Sequence, residues 1–187
     1  VGNYRPVSIL CVISKVLEKV VYEQLENHLK HNNLLYDLQS GFRPGYSADS
    51  CLIYLTDLIK ENMDRDQYTG LVMLDLQKAF DTVNHEILLT KLDHYGLRGT
   101  ALSWVTSYLK NRKQFVDIDG TKSDQALIQC GVPQGSVLGP KLFLLYINDI
   151  AIVSDLLKFI LFADDTTILC SHQNMQELCK LLNSELE

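Results

Sequence analysis

The chain has 187 residues, of which 47% are hydrophobic and 21% charged, and its formal net charge is −6. This composition is that of a folded globular protein, and the negative charge argues against a protein that coats nucleic acid through charge alone. No apolar run approaches the roughly 20 residues that span a bilayer, so we expect no membrane partner and an intracellular location, in the nucleus or the cytoplasm. The five cysteines form no CxxC pair and are interpreted as reduced thiols.

The first third of the chain predicts two helices. Apolar residues at helical spacing predict one helix over residues 15–30, with Ser14 as its N-cap. A second helix is predicted after Ser47, beyond a loop at residues 32–46 that contains glycine and proline.

The apolar period changes near residue 70. A short apolar run between Gly70 and Asp75 predicts a strand that is buried on both faces. Four further elements are predicted in the middle of the chain: helices near residues 86–95 and 101–111, and strands over residues 114–119 and 126–130.

The last third predicts a helix, a hairpin and a second helix. Pro140 opens an almost wholly apolar helix, which is therefore expected to be buried. Strands over residues 157–162 and 166–170 are predicted to form a hairpin, and the last helix begins at Asn174. The fold class predicted for the whole chain is α+β.

Two of the predicted strands end in aspartate. One stops at Asp75, and another leads into Asp164 and Asp165. Adjacent carboxylates beside apolar segments repel each other and are partly desolvated, so a compensating charge is needed. Carboxylate oxygens suit Mg²⁺, and two metal ions ~3.5–4 Å apart can catalyse phosphoryl transfer. Taken singly, an Asp-Asp pair also fits a solvated turn and Asp75 also fits a helix cap.

Five short segments decide between these interpretations. In chain order they are residues 3–8 (NYRPVS), 39–45 (QSGFRPG), 74–81 (LDLQKAFD), 131–140 (GVPQGSVLGP) and 162–165 (FADD). Together they resemble the ordered motifs of reverse transcriptases, in the form carried by non-LTR (LINE-type, Jockey/CR1-like) retrotransposons. Four letters such as FADD recur by chance, whereas five ordered motifs over nearly the whole chain do not.

The resemblance implies a two-metal polymerase site. Asp75, Asp164 and Asp165 would be catalytic and would hold two Mg²⁺ ions, for which Mn²⁺ can substitute, with the Leu76 carbonyl as a further ligand. The 3′-hydroxyl of a DNA primer, paired to an RNA template, would attack the α-phosphate of a dNTP.

The resemblance also implies a nucleotide-binding set. Phe80 would be the aromatic side chain that leaves no room for a 2′-hydroxyl, with plain core packing as the alternative. Arg43 would contact the triphosphate, because a guanidinium suits phosphate oxygens. Gln134 and Gly135 would lie beside the incoming nucleotide, since a glycine lets the backbone approach a ligand closely; a plain turn is the alternative.

Weaker candidates complete the predicted site. Arg5 is a candidate for a phosphate or template contact and equally fits a solvated surface position. A small basic cluster is typical of a solvated helix end, with a contact to the nucleic-acid backbone as the second interpretation; it consists of Lys110, Arg112 and Lys113.

Several neighbouring residues are expected to have structural roles. Asp81 is expected to cap the following helix, and His85 and His94 to lie on a helix surface. Trp104 and Tyr108 are expected in the core.

The architecture implied by the resemblance is that of polymerase fingers and palm, with an antiparallel palm sheet of three or four strands backed by helices. The fingers would take residues 1–68 and 83–138, and the palm residues 69–82 and 139–187. A thumb would follow Glu187, and an endonuclease is expected elsewhere in the same retrotransposon polyprotein. We therefore expect this chain alone to bind template-primer weakly and to polymerise poorly.

Two alternative functions make different predictions for these residues. A viral RNA-dependent RNA polymerase would have an acidic residue in place of Phe80 and a Ser-Gly pair in place of Gln134 and Gly135. The remaining alternative is a catalytically decayed or host-reused nucleic-acid-binding module of the same fold, which the three intact aspartates disfavour.

Overall fold

The protein is described by a computed structural model that covers residues 7–186. Six α-helices are described: α1 Val12–His31, α2 Ala48–Asp64, α3 His85–His94, α4 Thr100–Leu109, α5 Gly139–Ile147 and α6 Met175–Glu185. A 3₁₀ helix spans Asn148–Ile152. The strands are β1 Tyr68–Asp75, β2 Lys113–Gln114, β3 Asp117–Ile118, β4 Thr121–Lys122, β5 Ala126–Leu127, β6 Lys158–Phe162 and β7 Asp165–His172.

This inventory confirms the α+β class and the predicted order of the main elements. The chain divides into two compact units: a first unit of Val1–Leu34 and Lys78–Tyr146, and a second unit of Leu35–Gln77 and Ile147–Glu187. Across the described residues, no helix has the length and apolar character to cross a membrane.

The second unit is built on a three-stranded antiparallel sheet in the order β1-β7-β6. β7 is the central strand, and its Ile168 and Cys170 join Phe159 and Leu161 of β6 in a buried core that Leu178 of α6 closes. α6 follows from its sequence, because Asn174 caps it by accepting hydrogen bonds from the backbone N–H groups of Gln176 and Glu177.

The prediction that β1 is buried on both faces is wrong. Its four middle residues are half-buried, and its last three are exposed, with Met73 71% exposed. β1 lies at the edge of the sheet, and the cover from neighbouring helices is found near its start. There Asn62 of α2 donates to the Thr69 hydroxyl, and Leu182 of α6 lies against Gly70. An apolar run alone does not distinguish this strand from a fully enclosed one.

The first unit is organised around α5, whose sequence is apolar on nearly every face. Leu142, Phe143, Leu144 and Leu145 are each at most 2% exposed, as expected for a helix of this pattern. The segments predicted as two long strands instead form two short antiparallel ribbons, β2 with β5 and β3 with β4. Gly120 occupies the turn of the inner ribbon with φ +83°, a conformation that favours glycine.

Helix α1 buries two glutamates beside Leu25 and Leu29, and it leaves several apolar residues exposed. Glu18 and Glu26 are 1% and 7% exposed, whereas Ile13 is 79% and Val16 62% exposed. The predicted N-cap is also wrong: Cys11 occupies that position without a side-chain bond, and the Ser14 hydroxyl donates to Glu18.

A buried ion pair joins α1 to α5. Lys141 is completely buried, its Nζ lies 2.6 Å from Glu26 Oε2, and the ammonium also lies over the Tyr22 ring. Burial alone would raise the pKa of the Glu26 carboxyl, but its bonds and attraction to Lys141 and Lys30 outweigh burial and hold that pKa below its ordinary value. Removing one partner would leave the other charge buried and uncompensated.

We expect Lys141→Met to lower the free energy of unfolding by about 3–5 kcal/mol, and adding Glu26→Gln to recover a large part of that loss. Urea denaturation of the two single variants and the double variant measures this coupling.

Since the folded-state pKa of Glu26 is lowered, the contribution of its carboxylate to stability is complete above the ordinary carboxyl pKa and disappears as the pH falls through the lowered value. Glu26→Gln should therefore lose less stability on acidification than the wild type; equal losses would contradict the assignment.

Candidate functional site

The three predicted catalytic aspartates are located at the same end of the sheet of the second unit. In the antiparallel pairing of β1 with β7, Asp75 stands directly opposite Asp165. Side chains of such cross-strand partners point to the same face, with Cβ atoms about 4.5–5.5 Å apart. Asp164 precedes Asp165 in the turn and is half-buried, while Asp75 and Asp165 are exposed.

The turn that carries Asp164 is short and conformationally unusual. Phe162 pairs with Asp165, so Ala163 and Asp164 alone connect β6 to β7. Ala163 has φ +57°, in the left-handed region that side chains other than glycine rarely adopt. This hairpin was predicted from the sequence, and the pairing confirms it.

The donors at this end of the sheet are chemically suited to magnesium, because Mg²⁺ prefers carboxylate and other oxygen ligands. No group of three or more His, Cys, Asp or Glu side chains within residues 7–186 is already gathered closely enough to hold a metal ion. Mg²⁺ is usually held by one or two carboxylates together with water and substrate phosphates, so a fully closed protein cage is not needed. The facing pair Asp75 and Asp165 fits this kind of site.

The segment before α2 packs directly against the hairpin turn. Gln39 is fully buried, and its side-chain amide bonds to the backbone of Ala163. A Cβ on Gly41 would lie 2.0 Å from the Ala163 nitrogen, so only glycine fits at that position.

Arg43, the predicted triphosphate contact, is turned toward its own loop. Its Nη1 donates to the carbonyl oxygens of Tyr36 at 2.8 Å and Gln39 at 2.9 Å, and the guanidinium lies 4.4 Å from the centre of the Tyr46 ring. These contacts of Arg43 stabilise the loop that contains Gln39.

Phe80 lies in the first unit, half-buried, with its ring stacked on Phe143 of α5. The ring centres are 4.7 Å apart with an angle of 30° between the planes. Phe143 is 2% exposed, so it supplies a rigid backing for the Phe80 ring.

Gln134 and Gly135 belong to a loop anchored at several points within the first unit. The Gln134 side-chain amide donates to the Asp81 carboxylate at 3.1 Å, and the backbone carbonyl oxygen of Gln134 accepts from the Ser8 N–H at 2.8 Å. Gly135 is exposed, with φ +96°, and a Cβ there would lie 3.0 Å from the Ser8 carbonyl oxygen. Both the conformation and the close approach favour glycine.

The helix cap predicted at Asp81 is wrong. Asn84 caps α3 by accepting from the N–H groups of Glu86 and Ile87, and Asp81 instead accepts from Gln134. Asp81 and Asn84 are three positions apart in the chain, and both residue types are good N-caps. The sequence pattern alone therefore does not show which of them caps the helix.

His85 is also placed differently from the prediction. It is 7% exposed, and its Nε2 is 2.7 Å from the Gly131 carbonyl oxygen, so it joins the start of α3 to the start of the GVPQGSVLGP segment. His94 is on the helix surface as predicted, bonded to the Thr90 carbonyl.

Glu18 anchors the other end of the same loop. Its Oε2 accepts from the backbone N–H groups of Val137 at 2.8 Å and Leu138 at 3.2 Å. These groups immediately precede α5, where unpaired helix N–H groups need an acceptor. Nearby, burial raises the pKa of Tyr108 to about 12, as the Glu18 carboxylate also does to a lesser degree.

The remaining candidates are dispersed. Lys110 and Lys113 are exposed, whereas Arg112 is half-buried against the Tyr108 ring, 5.2 Å from its centre. Trp104 and Tyr108, expected in the core, are half-buried and stacked on each other. Arg5, with most of the NYRPVS segment, lies outside the described residues.

The sequence matches the family described as reverse transcriptase (RNA-dependent DNA polymerase) over residues 1–187. The chain belongs to the reverse transcriptase family. The "Probable RNA-directed DNA polymerase from transposon BS" of Drosophila melanogaster is 32% identical over 98% of this chain and 21% of its own length. The "RNA-directed DNA polymerase from mobile element jockey" of Drosophila funebris is 33% identical over 80% of the chain and 16% of its own length.

These names confirm the predicted relationship to non-LTR retrotransposons. The chain spans about a fifth of the length of the reverse transcriptases that it matches. Among solved structures, an apo telomerase from Candida tropicalis shares the fold, with a TM-score of 0.60 and 16% identity over 88% of this chain and 36% of that one.

The sequence pattern does not reveal that Gln39, Glu18 and His85 are buried and bond to loop backbone. Gln39 stands inside a recognised motif, but nothing in the motif distinguishes a buried amide from an exposed one. Glu18 lies near other charged residues of the first predicted helix, and a charged side chain on a helix is normally solvated. The bonds of these side chains are made to backbone groups that are distant in the chain: 46 residues away for His85, 119 for Glu18 and 124 for Gln39.

We expect Glu18→Ala to destabilise the protein by about 2–4 kcal/mol, because it removes the acceptor of two N–H groups before α5, one partly buried and one buried. The matched control is Glu23→Ala, an exposed glutamate on the same helix, which should change stability by less than about 0.5 kcal/mol. Denaturant unfolding followed by circular dichroism measures both. Similar losses for the two variants would show that Glu18 anchors nothing.

Proposed function

We propose that this chain carries the catalytic part of an RNA-directed DNA polymerase of a non-LTR retrotransposon. The observation that carries the proposal is the pairing of Asp75 with Asp165, beside Asp164, at one end of the second unit's sheet. Membership of the reverse transcriptase family supplies the reaction class, and its members use divalent metal ions. The substrates would be an RNA template, a DNA primer and dNTPs.

Asp75, Asp164 and Asp165 would hold two Mg²⁺ ions, with the Leu76 carbonyl as a further ligand. The bound ions would activate the primer 3′-hydroxyl and stabilise the charge that develops on the phosphate. The protein itself would orient the carboxylates. Because paired strands hold these side chains in place before the metal ions bind, little conformational entropy would be lost on binding. Mn²⁺, with similar ligand preferences, would substitute.

Phe80 would select deoxynucleotides. Stacking on the buried Phe143 limits the movement of the Phe80 ring, and a ring held in this position would exclude a 2′-hydroxyl. Gln134 and Gly135 would lie against the nucleotide, and the bond from Gln134 to Asp81 would limit the movement of that side chain.

Arg43 would reach the triphosphate through a guanidinium that its Nη1 bonds already orient. Template contacts by Arg5, Lys110, Arg112 and Lys113 are part of the same proposal, as are the fingers and palm assignments. The partners would include the rest of the retrotransposon polyprotein, with a thumb and an endonuclease.

We expect the 187-residue chain, at high concentration with excess RNA template and DNA primer, to add one dNTP in a Mg²⁺-dependent reaction. Asp164→Asn should reduce the rate at least about 100-fold, because it removes one metal-binding charge. Asp155→Asn, an exposed aspartate of the same unit, is the matched control and should retain activity.

Single-nucleotide extension on a labelled primer measures all three proteins. Absence of incorporation by the wild type, or equal rates for the wild type and Asp164→Asn, would favour a non-catalytic nucleic-acid-binding module instead.

For sugar selection, we expect Phe80→Val to raise the ratio of ribonucleotide to deoxynucleotide incorporation by about 10-fold or more, because a smaller side chain opens space for the 2′-hydroxyl. Phe143→Leu should change this ratio less, since it alters only the backing of the ring. The ratio of kcat/KM for the two nucleotides is the measurement. An unchanged ratio in Phe80→Val would leave Phe80 as a packing residue.

A further inference from the structure

We propose that Gln39 is a positioning residue for the metal-binding turn, acting through the backbone of Ala163 to fix Asp164. The inference rests on the proposed polymerase function, and it assigns a role to a side chain that does not itself touch substrate. Three sets of observations in the second unit support it.

The first is the bonding of the Gln39 side chain. Gln39 has no exposed surface, and its Oε1 accepts from the N–H of Ala163 at 3.1 Å while its Nε2 donates to the Ala163 carbonyl at 3.3 Å. The same Oε1 accepts from the Gly41 N–H at 2.9 Å. One side-chain amide therefore satisfies both backbone groups of the residue that immediately precedes Asp164, as a neighbouring strand would do.

The second is the conformation that these bonds hold. Ala163 has φ +57°, a left-handed conformation that is unfavourable for a residue with a Cβ. Such a conformation persists only where the surroundings over-determine it. Because Ala163 and Asp164 are the whole connection between β6 and β7, a rotation at Ala163 would redirect the Asp164 carboxylate.

The third is the way the Gln39 backbone is itself fixed. Leu161 donates to the Leu38 carbonyl at 2.9 Å, and Ser40 donates to the Leu161 carbonyl at 2.8 Å, which forms a parallel bridge at Gln39. Arg43 Nη1 also donates to the Gln39 carbonyl. These bonds fix the backbone of Gln39. Because the Gln39 side chain bonds to Ala163, the position of the turn is fixed as well.

A merely structural role predicts only a loss of stability, and a second buried amide of the same unit provides the comparison. Asn62 is 7% exposed and donates to the Thr69 hydroxyl at 3.0 Å. Thr69 is six residues from Asp75 along β1, or about 20 Å in an extended strand. Asn62→Leu therefore removes a buried amide bond far from the carboxylates.

The experiment compares Gln39→Met, Gln39→Glu and Asn62→Leu with the wild type. Gln39→Met fills a similar volume but removes all three bonds, and Gln39→Glu keeps an oxygen that accepts from the two N–H groups. Mn²⁺ binding by the 187-residue chain, followed by electron paramagnetic resonance, is measured beside single-nucleotide kinetics and thermal unfolding.

We expect Gln39→Met to weaken Mn²⁺ binding and lower kcat by about 10–100-fold, the usual effect of removing a residue that orients metal ligands. KM for the dNTP should change little, and Gln39→Glu should lie between Gln39→Met and the wild type. Asn62→Leu should lower the unfolding temperature while leaving Mn²⁺ affinity and kcat close to those of the wild type.

Two results would overturn the proposal. One is Mn²⁺ affinity in a folded Gln39 variant equal to that of the wild type. The other needs no variant: amide hydrogen exchange of Ala163 in the wild-type protein as fast as in an exposed turn would show that Gln39 does not hold it. A wild type that binds no Mn²⁺ and adds no nucleotide would instead refute the polymerase function itself.

Discussion

The pairing register of β1 with β7 is the constraint on which the carboxylate cluster depends. It places Asp75 opposite Asp165, so both side chains leave the same face of the sheet. Because successive side chains of a strand alternate between faces, a shift of one residue would send Asp75 to the opposite face. Burial favours this register, because Val72 of β1 stands opposite Ile168 of β7 and both side chains pack in the core of the second unit.

Buried polar side chains that bond to backbone are the second recurring feature. Gln39 supplies a donor and an acceptor to Ala163, and Glu18 supplies an acceptor to Val137 and Leu138. In each unit the bonded backbone belongs to a loop beside a predicted functional residue. Loops lack the repeated hydrogen bonds of helices and sheets, so a buried polar side chain is an economical way to give a loop one conformation.

The negative net charge is compatible with a nucleic-acid enzyme of this kind. The carboxylates at the end of the sheet are positions where bound metal ions would offset charge, and the chain spans about a fifth of its retrotransposon relatives. A net charge of −6 over this span therefore does not contradict the proposed function. The role proposed for Arg43 requires its guanidinium to contact phosphate oxygens as well as the two loop carbonyls that it already contacts.

The family, the α+β class, the β6–β7 hairpin and the position of aspartates at strand ends could be predicted from the sequence, because motif order and local hydrophobic period are properties of the chain read along its length. Long-range contacts account for what the sequence did not predict: β1 is an edge strand, His85 is buried, Asn84 rather than Asp81 caps α3, and Glu18 of α1 is buried. Each of these outcomes depends on partners distant in sequence. A residue's burial and bonds are set by whichever backbone or side chain folding brings beside it, and local spacing carries no record of that partner.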